Sequence, residues 1–186
     1  MYKKITYEEY VVKHASSFKR INIDPLYVAK IKDFVSKLIY EKSDEGHHKS
    51  DPFNEVKRFT TGFLGEAALE NLFDIDIIDW SIGYSGLYHK PDIPGYNVGI
   101  KTVERGKFPV IFKKNNYPQI ICIKSTKYEN VIFICGLATS EVLNKYQSED
   151  LILSPYLRSR GTKTGFYGFE HLLPISSLED LLPYKK

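Results

Sequence analysis

Apolar positions recur at helical spacing in two stretches of the N-terminal half of the chain. The first stretch predicts a helix over residues 25–41, with Asp24 as its N-cap and Pro25 in its first turn. Its apolar stripe is expected to consist of Leu26, Ala29, Phe34, Leu38 and Ile39. The second stretch predicts a helix from about Pro52 to Phe73. The polar stretch between them, Lys42 to Asp51, is expected to form a loop.

The pattern changes from helical to extended after Asp74. Strands are predicted at Asp76–Trp80, around Ile93–Val103, and at Val110–Phe112, Ile120–Ile123 and Val131–Leu137. The last two should form a hairpin, and a turn centred on Tyr128-Glu129 would place Cys122 opposite Cys135. A short helix beginning at Thr139 or Ser140 follows.

The order of these elements indicates a fold class. Helices come first, then a run of strands, then a short helix, a loop-rich stretch and a closing segment. This order favours an α+β protein with a central mixed sheet flanked by helices over a regular βαβ repeat. The length fits one domain over residues 1–186. Within it we expect an N-terminal helical extension and loop at 1–50, a core at 51–150 and a loop-rich closing segment at 151–186.

Composition narrows the class of protein. Hydrophobic residues make up 42% of the chain and aromatic residues 14%, which excludes wholesale disorder. No apolar run reaches the roughly 18–20 residues of a membrane helix, and the lysines near Met1 have no apolar stretch behind them that would form a secretory signal. Cys122 and Cys135 lack Cys-x-x-Cys spacing, which argues against a disulfide scaffold or a zinc ribbon. A reducing cytoplasm is therefore the expected location. The richness in Lys, Ile, Tyr and Asn is compatible with an AT-rich genome, bacterial or phage.

The charge is distributed unevenly, although its net value is only +3. Residues 1–89 carry 12 Lys/Arg and 14 Asp/Glu, whereas residues 90–186 carry 14 and 9. The excess is densest from Lys101 to Lys127, where seven basic residues accompany one acid, Glu104. A second basic cluster, without acids, consists of Arg158, Arg160 and Lys163. Any single lysine is most simply a solvated surface residue, but two clusters in one half favour a polyanionic partner.

Three short segments together suggest a catalytic site. They are Gly65-Glu66-Ala67 on the second helix, Pro91-Asp92 after a turn-prone segment, and Gly99-Ile100-Lys101 on a strand. A reversal at Pro94-Gly95 can bring the Asp92 carboxylate and the Lys101 ammonium to one end of a sheet, and Glu66 can approach from a helix packed on that sheet. Carboxylates of this kind hold Mg²⁺, and a lysine beside them stabilises phosphorane charge or orients a water.

The order of these segments resembles the PD-(D/E)xK nuclease superfamily, whose members have the restriction-endonuclease-like fold. Four segments carry the resemblance: Gly62–Ala68, similar to the family's G-x-x-G-E-x-A helix; Pro91-Asp92, similar to its metal-binding aspartate; Ile100–Thr102, similar to its lysine strand; and Ile120–Lys145, similar to the hairpin and helix of small bacterial and phage members. The likeness covers about residues 56–150, and the closing Pro174–Leu178 is also similar to such members.

The resemblance implies a Mg²⁺-dependent endonuclease, with Mn²⁺ as an alternative metal, acting on DNA and most simply on duplex DNA as a homodimer. It assigns Asp92, Glu66 and the Ile100 main-chain carbonyl to the metal, and Lys101 to the attacking water. The family's usual acid two residues before the lysine is replaced here by Gly99. Strand alternation puts Glu104 on the opposite face, so Glu66 is the better substitute.

The basic clusters provide the expected contacts to the DNA backbone, which give affinity without sequence information. The residues assigned to them are Lys107, Lys113, Lys114, Arg158, Arg160 and Lys163. Two alternatives stay open because of Gly99: a DNA-binding or interaction module that keeps the nuclease fold without cleavage, and an interaction protein with no nucleic-acid role. Taken one at a time, Glu66, Asp92 and Lys101 are more simply ordinary surface or turn residues, whereas taken as an ordered set they favour the catalytic site.

Overall fold

A computed structural model describes residues 4–42, 52–81 and 91–186. Nearly all of the loop predicted at Lys42–Asp51 lies outside these residues. The helices are α1 (Tyr7–Tyr10), α2 (Pro25–Lys42), α3 (Pro52–Phe73), α4 (Ser140–Lys145) and α5 (Pro155–Ser159). The strands are β1 (Lys19–Asn22), β2 (Gly99–Glu104), β3 (Val110–Phe112), β4 (Gln119–Lys124), β5 (Val131–Ala138), β6 (Gln147–Ser148) and β7 (Lys163–Phe166). Short 3-10 helices occupy Val12–Ser17, Glu149–Leu151, Phe169–His171 and Leu178–Tyr184.

The strands form two sheets, and the predicted α+β class with a mixed sheet is confirmed. The larger sheet has the order β1-β5-β4-β2, in which only the β4–β2 pair is parallel. The smaller sheet has the order β3-β7-β6 and is antiparallel. One hydrophobic core lies between the larger sheet and helices α2 and α3, and a second core lies on the other face of that sheet, against the smaller sheet and α4.

Both long helices form where the sequence predicts them. Asp24 caps α2, since its Oδ1 accepts a hydrogen bond of 2.7 Å from the Leu26 N–H. The predicted apolar stripe of α2 is partly wrong, because Leu26 is 82% exposed and Ala29 is also exposed. The buried face consists instead of Val28, Ile31, Phe34, Val35 and Leu38, a set with the i, i+3, i+7 spacing of one helix face.

The strand predicted at Asp76–Trp80 is absent, and this stretch is irregular backbone. Its amides are satisfied by a side chain rather than by a neighbouring strand. The Glu70 carboxylate accepts hydrogen bonds from the N–H groups of Ile77 and Ile78 at 2.9 and 2.8 Å, and from the Tyr27 hydroxyl at 2.6 Å. Both isoleucines are still buried, which explains why they resemble a strand in sequence.

Two parts of the architecture were not predicted. Residues 1–50 are not simply an extension, because β1 pairs with β5 and α2 packs into the same core as α3. The stretch 148–170, expected to be mostly loop, contains α5 and β7 and completes the smaller sheet.

The predicted hairpin is confirmed as the antiparallel pair β4–β5, but its register differs from the prediction. A bulge follows Ile121, so that Cys122 pairs with Ile134 and Cys135 is the extra residue. The two thiols consequently lie in different cores. Burial raises the pKa of Cys122 to about 12 and that of Cys135 well above its usual value, so neither thiol is reactive.

None of the described helices combines the length and the apolar character needed to cross a bilayer.

Candidate functional site

A close contact between α3 and β2 sets the position of Glu66. The two elements meet at Gly65, where a Cβ would lie only 1.7 Å from Thr102 Oγ1 and 2.8 Å from Thr102 Cβ. Only a residue without a side chain allows this approach. The neighbouring helix residues Leu64 and Ala67 are fully buried. The close packing of these neighbours fixes the position of Glu66 between the helix and the sheet, near Asp92.

A turn places Asp92 beside the start of β2. The Tyr96 N–H donates to the Ile93 carbonyl at 3.1 Å, and Gly95 between them has φ 77°. Proline before a glycine of positive φ is the sequence of a type II turn, so the predicted reversal at Pro94-Gly95 is confirmed. The consequence is that the chain folds back and the Asp92 carboxylate reaches the edge of β2.

The C-terminal segment holds this turn from the other side. The Asn97 N–H donates to the Tyr184 carbonyl at 2.7 Å, and the Lys186 N–H donates to the Gly95 carbonyl at 2.9 Å. The turn that carries Asp92 is thus fixed by main-chain hydrogen bonds to residues far away in sequence.

Asp92 binds the main chain of the lysine strand directly. Its Oδ2 accepts a 2.6 Å hydrogen bond from the Ile100 N–H. The Gly99 N–H points the other way, to the Pro118 carbonyl at 2.9 Å, and β2 is an edge strand of the larger sheet. Because successive residues of a strand direct their polar groups to opposite sides, the Ile100 carbonyl points to the same open edge as its N–H. Asp92 and the predicted carbonyl ligand therefore share one edge.

Glu66 and Asp92 are close enough to perturb each other's ionisation. The pKa of Glu66 is raised to about 8, chiefly because the carboxyl is removed from water and secondly because of the charge on Asp92, with smaller effects from Glu70 and Asp79. Loss of solvent also raises the pKa of Asp92, even though part of its side chain is accessible, while the Ile100 N–H and Lys101 act in the opposite direction. Two crowded carboxyls of this kind retain a proton near neutral pH.

Lys101 lies on the face of β2 that is turned away from α3. Ile100 packs on the core beneath α3, whereas Val103 packs on the second core, so alternation directs Lys101 to the side of the smaller sheet. Burial lowers the pKa of Lys101, the negative charge of Asp92 raises it, and the positive charge of Arg58 on α3 lowers it. Charges interact more strongly where water is excluded. The Lys101 ammonium would therefore act strongly on an anionic group bound near Asp92.

The donor set fits a hard divalent cation. Asp92, Glu66 and the Ile100 carbonyl offer only oxygen atoms, the ligands that Mg²⁺ prefers, and Mg²⁺ keeps several of its waters. Burial is the main cause of the raised pKa of Glu66, and the charge of Asp92 adds to it; a bound cation would offset both effects. In the described part of the chain, no group of three or more His, Cys, Asp or Glu side chains is arranged as a metal site. The two carboxylates would thus need the main-chain carbonyl and waters to complete the coordination.

Glu104, the other acid near the lysine, is engaged elsewhere. Its carboxylate forms ion pairs with Lys57 of α3 at 3.1 Å and with Lys107 at 3.0 Å, and these cations lower its pKa against the opposing effect of burial. It lies on the face of β2 opposite to Lys101, as the strand alternation predicts. Lys107, expected to contact DNA, is therefore already paired within the protein.

The remaining basic residues fall into two groups. Lys113 forms an ion pair with Glu149, and Arg158 donates to the carbonyls of Ile152 at 2.7 Å and Asp150 at 3.2 Å, which makes it a support for its own loop. Lys114, Arg160 and Lys163 have no acidic partner among the described residues.

Sequence reasoning missed Tyr117, which lies beside the vacant acid position. A Cβ at Gly99 would lie 3.0 Å from Tyr117 Cε2 and 3.3 Å from Asp92 Oδ2, so the ring and the carboxylate flank the same point. Burial and the charge of Asp92 both raise the pKa of this phenol. Only the parallel pairing of β2 with β4 brings Tyr117 here, and no sequence period encodes that pairing.

Comparison with protein-family models, curated proteins and solved structures found no match to this chain.

Proposed function

We propose that the protein is a metal-dependent endonuclease that hydrolyses phosphodiester bonds in DNA and has a restriction-endonuclease-like core. One observation carries the proposal: the Asp92 carboxylate is bound to the Ile100 N–H at 2.6 Å, with Glu66 on one side of this strand and Lys101 on the other. Two carboxyls and a desolvated lysine at one strand edge are the groups that phosphodiester hydrolysis needs.

Each residue has a separate role in this proposal. Asp92, Glu66 and the Ile100 carbonyl would hold Mg²⁺ or Mn²⁺, which supplies charge stabilisation to the phosphate and a more acidic water. Lys101 orients the attacking water and stabilises the negative charge that develops on the phosphate as the bond forms. Its lowered pKa makes its neutral form more accessible, so Lys101 can also accept a proton from that water. Glu66 provides the carboxylate that Gly99 lacks.

The DNA backbone would pass over Lys114, Arg160 and Lys163, which have no acidic partner among the described residues. Lys107, Lys113 and Arg158, in contrast, already have partners in the folded protein. Phosphate contacts of this type supply affinity that depends on salt but not on sequence. A homodimer would supply the second site needed to cut both strands of a duplex.

A non-cleaving DNA-binding module is the second candidate. The raised pKa of Glu66 favours it, because a protonated carboxyl is a poor metal ligand and Gly99 offers no other acid. This module would bind DNA and leave it intact.

Cleavage of supercoiled plasmid DNA tests the proposal. We expect nicking or linearisation with Mg²⁺ or Mn²⁺ but not with EDTA. Lys101→Ala should lower the rate by 10² or more, the usual loss when one electrostatic group of a site is removed. Lys107→Ala is the matched control, because its lysine is paired with Glu104 at the surface. A wild-type protein that binds the plasmid without cutting it with either metal would establish the non-cleaving module instead, and one that does neither would be an interaction protein of another kind.

A further inference from the structure

Two exposed rings, each paired with a cation, lie on the smaller sheet and the helix next to it. We call it the aromatic–cationic strip and define it as Phe112, Tyr156, Arg160 and Lys163. Tyr156 is 68% exposed and Phe112 is 43% exposed. A single exposed ring is ordinary on a protein surface, so what distinguishes these two rings is the cation that accompanies each of them.

Each ring of the strip lies against a cation. The Lys163 Nζ is 3.1 Å from the centroid of the Phe112 ring, and the two residues are direct partners in the β3–β7 pair. The Arg160 guanidinium carbon is 5.9 Å from the centroid of the Tyr156 ring. The side-chain alternation of β3 buries Ile111 in the second core, so Phe112 and Lys163 occupy the outward face.

One residue of the strip, Lys163, lies within electrostatic range of Lys101. Burial, followed by the charges of Lys101 and Arg160, lowers the pKa of Lys163 to about 8. Lys101 is itself within electrostatic range of Asp92. In the described part of the chain neither Arg160 nor Lys163 forms an ion pair with an acid. Binding of a polyanion would neutralise these neighbouring positive charges.

The rings indicate which form of polyanion fits. A duplex presents phosphates to a protein surface and hides the faces of its bases, so exposed rings contribute little to backbone binding. Proteins that bind single strands combine a positive groove with aromatic side chains on which unpaired bases stack, each stacked base being worth about 1–3 kcal/mol. The strip has the same combination, with two exposed rings and two cations.

We propose that the aromatic–cationic strip binds unpaired nucleotides of the substrate next to the bond that is cut, with bases stacking on Tyr156 and Phe112 and phosphates held by Arg160 and Lys163. The proposal rests on the proposed action on DNA and refines it: the preferred substrate carries a single-stranded segment, such as an overhang or a flap, rather than a continuous duplex.

Binding measured without metal tests the strip separately from cleavage. Fluorescence anisotropy in EDTA would compare a labelled single strand of roughly 12 nucleotides with a blunt duplex of the same length. Tyr156→Ala should weaken single-strand binding by roughly 5- to 150-fold, the loss of one stacked base, and leave duplex binding unchanged. Tyr156→Phe keeps the ring and should bind the single strand as the wild type does. Tyr156 is largely exposed, so its truncation does not disturb the core.

An exposed ring with cations outside the strip provides the matched control. Tyr128 is 46% exposed and lies near Arg20 at 5.6 Å and Lys127 at 5.1 Å, outside the strip. Tyr128→Ala should not change either affinity. The proposal is overturned if Tyr156→Ala has no effect, if it weakens single-strand and duplex binding equally, or if the wild type does not bind single strands. If Tyr156→Ala weakens single-strand binding but the wild type never cleaves DNA, the proposal for the strip stands and only the proposed nuclease activity is refuted.

Discussion

Alanine at Gly65 should destabilise the protein, whereas alanine at Gly62 should not. Both residues belong to α3, so the gain in helix propensity, about 0.5–1 kcal/mol for Gly→Ala, is the same at both. A Cβ at Gly62 has no neighbour within 4 Å, whereas a Cβ at Gly65 would lie 1.7 Å from Thr102 Oγ1 and 2.8 Å from Thr102 Cβ. The difference in free energy of unfolding between the two variants therefore isolates the contact between α3 and β2.

The size of the difference follows from the overlap. Non-bonded carbon atoms pack at roughly 3.5–4.0 Å, and although rotation can move the Thr102 hydroxyl away, it cannot move the Thr102 Cβ. The helix and the strand must separate, and overpacking of this kind costs about 1–3 kcal/mol. For a chain of this length that corresponds to a difference of roughly 2–12 °C in the midpoint of thermal unfolding, with Gly65→Ala the less stable variant.

Urea unfolding followed by circular dichroism would measure both variants. Adding Thr102→Gly to Gly65→Ala should recover much of the loss, because the double variant removes the overlapping atoms from the strand. The substitution at Gly65 should also weaken Mg²⁺ binding, since it displaces Glu66, while the one at Gly62 should leave it unchanged. Equal midpoints for the two single variants would refute the idea that this contact limits the approach of the helix.

Three further predictions concern charge. Glu66 has a pKa of about 8 in the folded protein against an ordinary 4.5. Without metal, this group alone should make the free energy of unfolding fall by up to about 1.4 kcal/mol per pH unit between about pH 4.5 and pH 8. Glu66→Gln should remove this part of the slope in urea titrations, and an unchanged slope would assign it to another group. A side chain at Gly99 would begin 3.3 Å from Asp92 Oδ2, so Gly99→Glu would add a second negative charge there. It should lower the melting temperature more than Gly99→Gln does unless Mg²⁺ is present, and calorimetry of both variants checks this. Lys114→Ala should reduce the slope of log K against log salt for duplex DNA by about 0.9, whereas Arg158→Ala should mainly lower stability, because its guanidinium supports main-chain carbonyls.

The long helices and the hairpin could be predicted because local patterns specify them. The Asp24 cap, the spacing of apolar residues in α3 and the β-branched runs of β4 and β5 are all visible in short windows of sequence. The boundaries of α3 agree with the prediction for the same reason.

The parts that were missed depend on distant partners. β1 is a largely exposed four-residue strand that pairs with β5, and β6 has only two residues, so neither contains a period to detect. The segment at Ile77 and Ile78 was misassigned because buried isoleucines look alike whether a strand or a glutamate side chain satisfies their amides.

The candidate site also contains residues that the sequence predicts and residues that it does not. The order of Glu66, Asp92 and Lys101 along the chain was enough to predict that they lie together, and the structure brings the charges of Glu66 and Lys101 within range of Asp92. Tyr117 and Arg58 could not be found, because their positions depend on sheet pairing and helix packing rather than on sequence spacing.

The main-chain bonds between the C-terminal segment and the Asp92 turn have a consequence for the order of events during synthesis. Contacts between residues so far apart in sequence form late, because a long loop must close first. A chain that stops before Tyr184 lacks the carbonyl that binds the Asn97 N–H, as well as the Lys186 N–H that binds Gly95, and we expect it to bind Mg²⁺ more weakly than the full chain in calorimetric titration. In the proposed nuclease, the nascent chain would therefore not complete its metal site before Tyr184 and Lys186 have been synthesised.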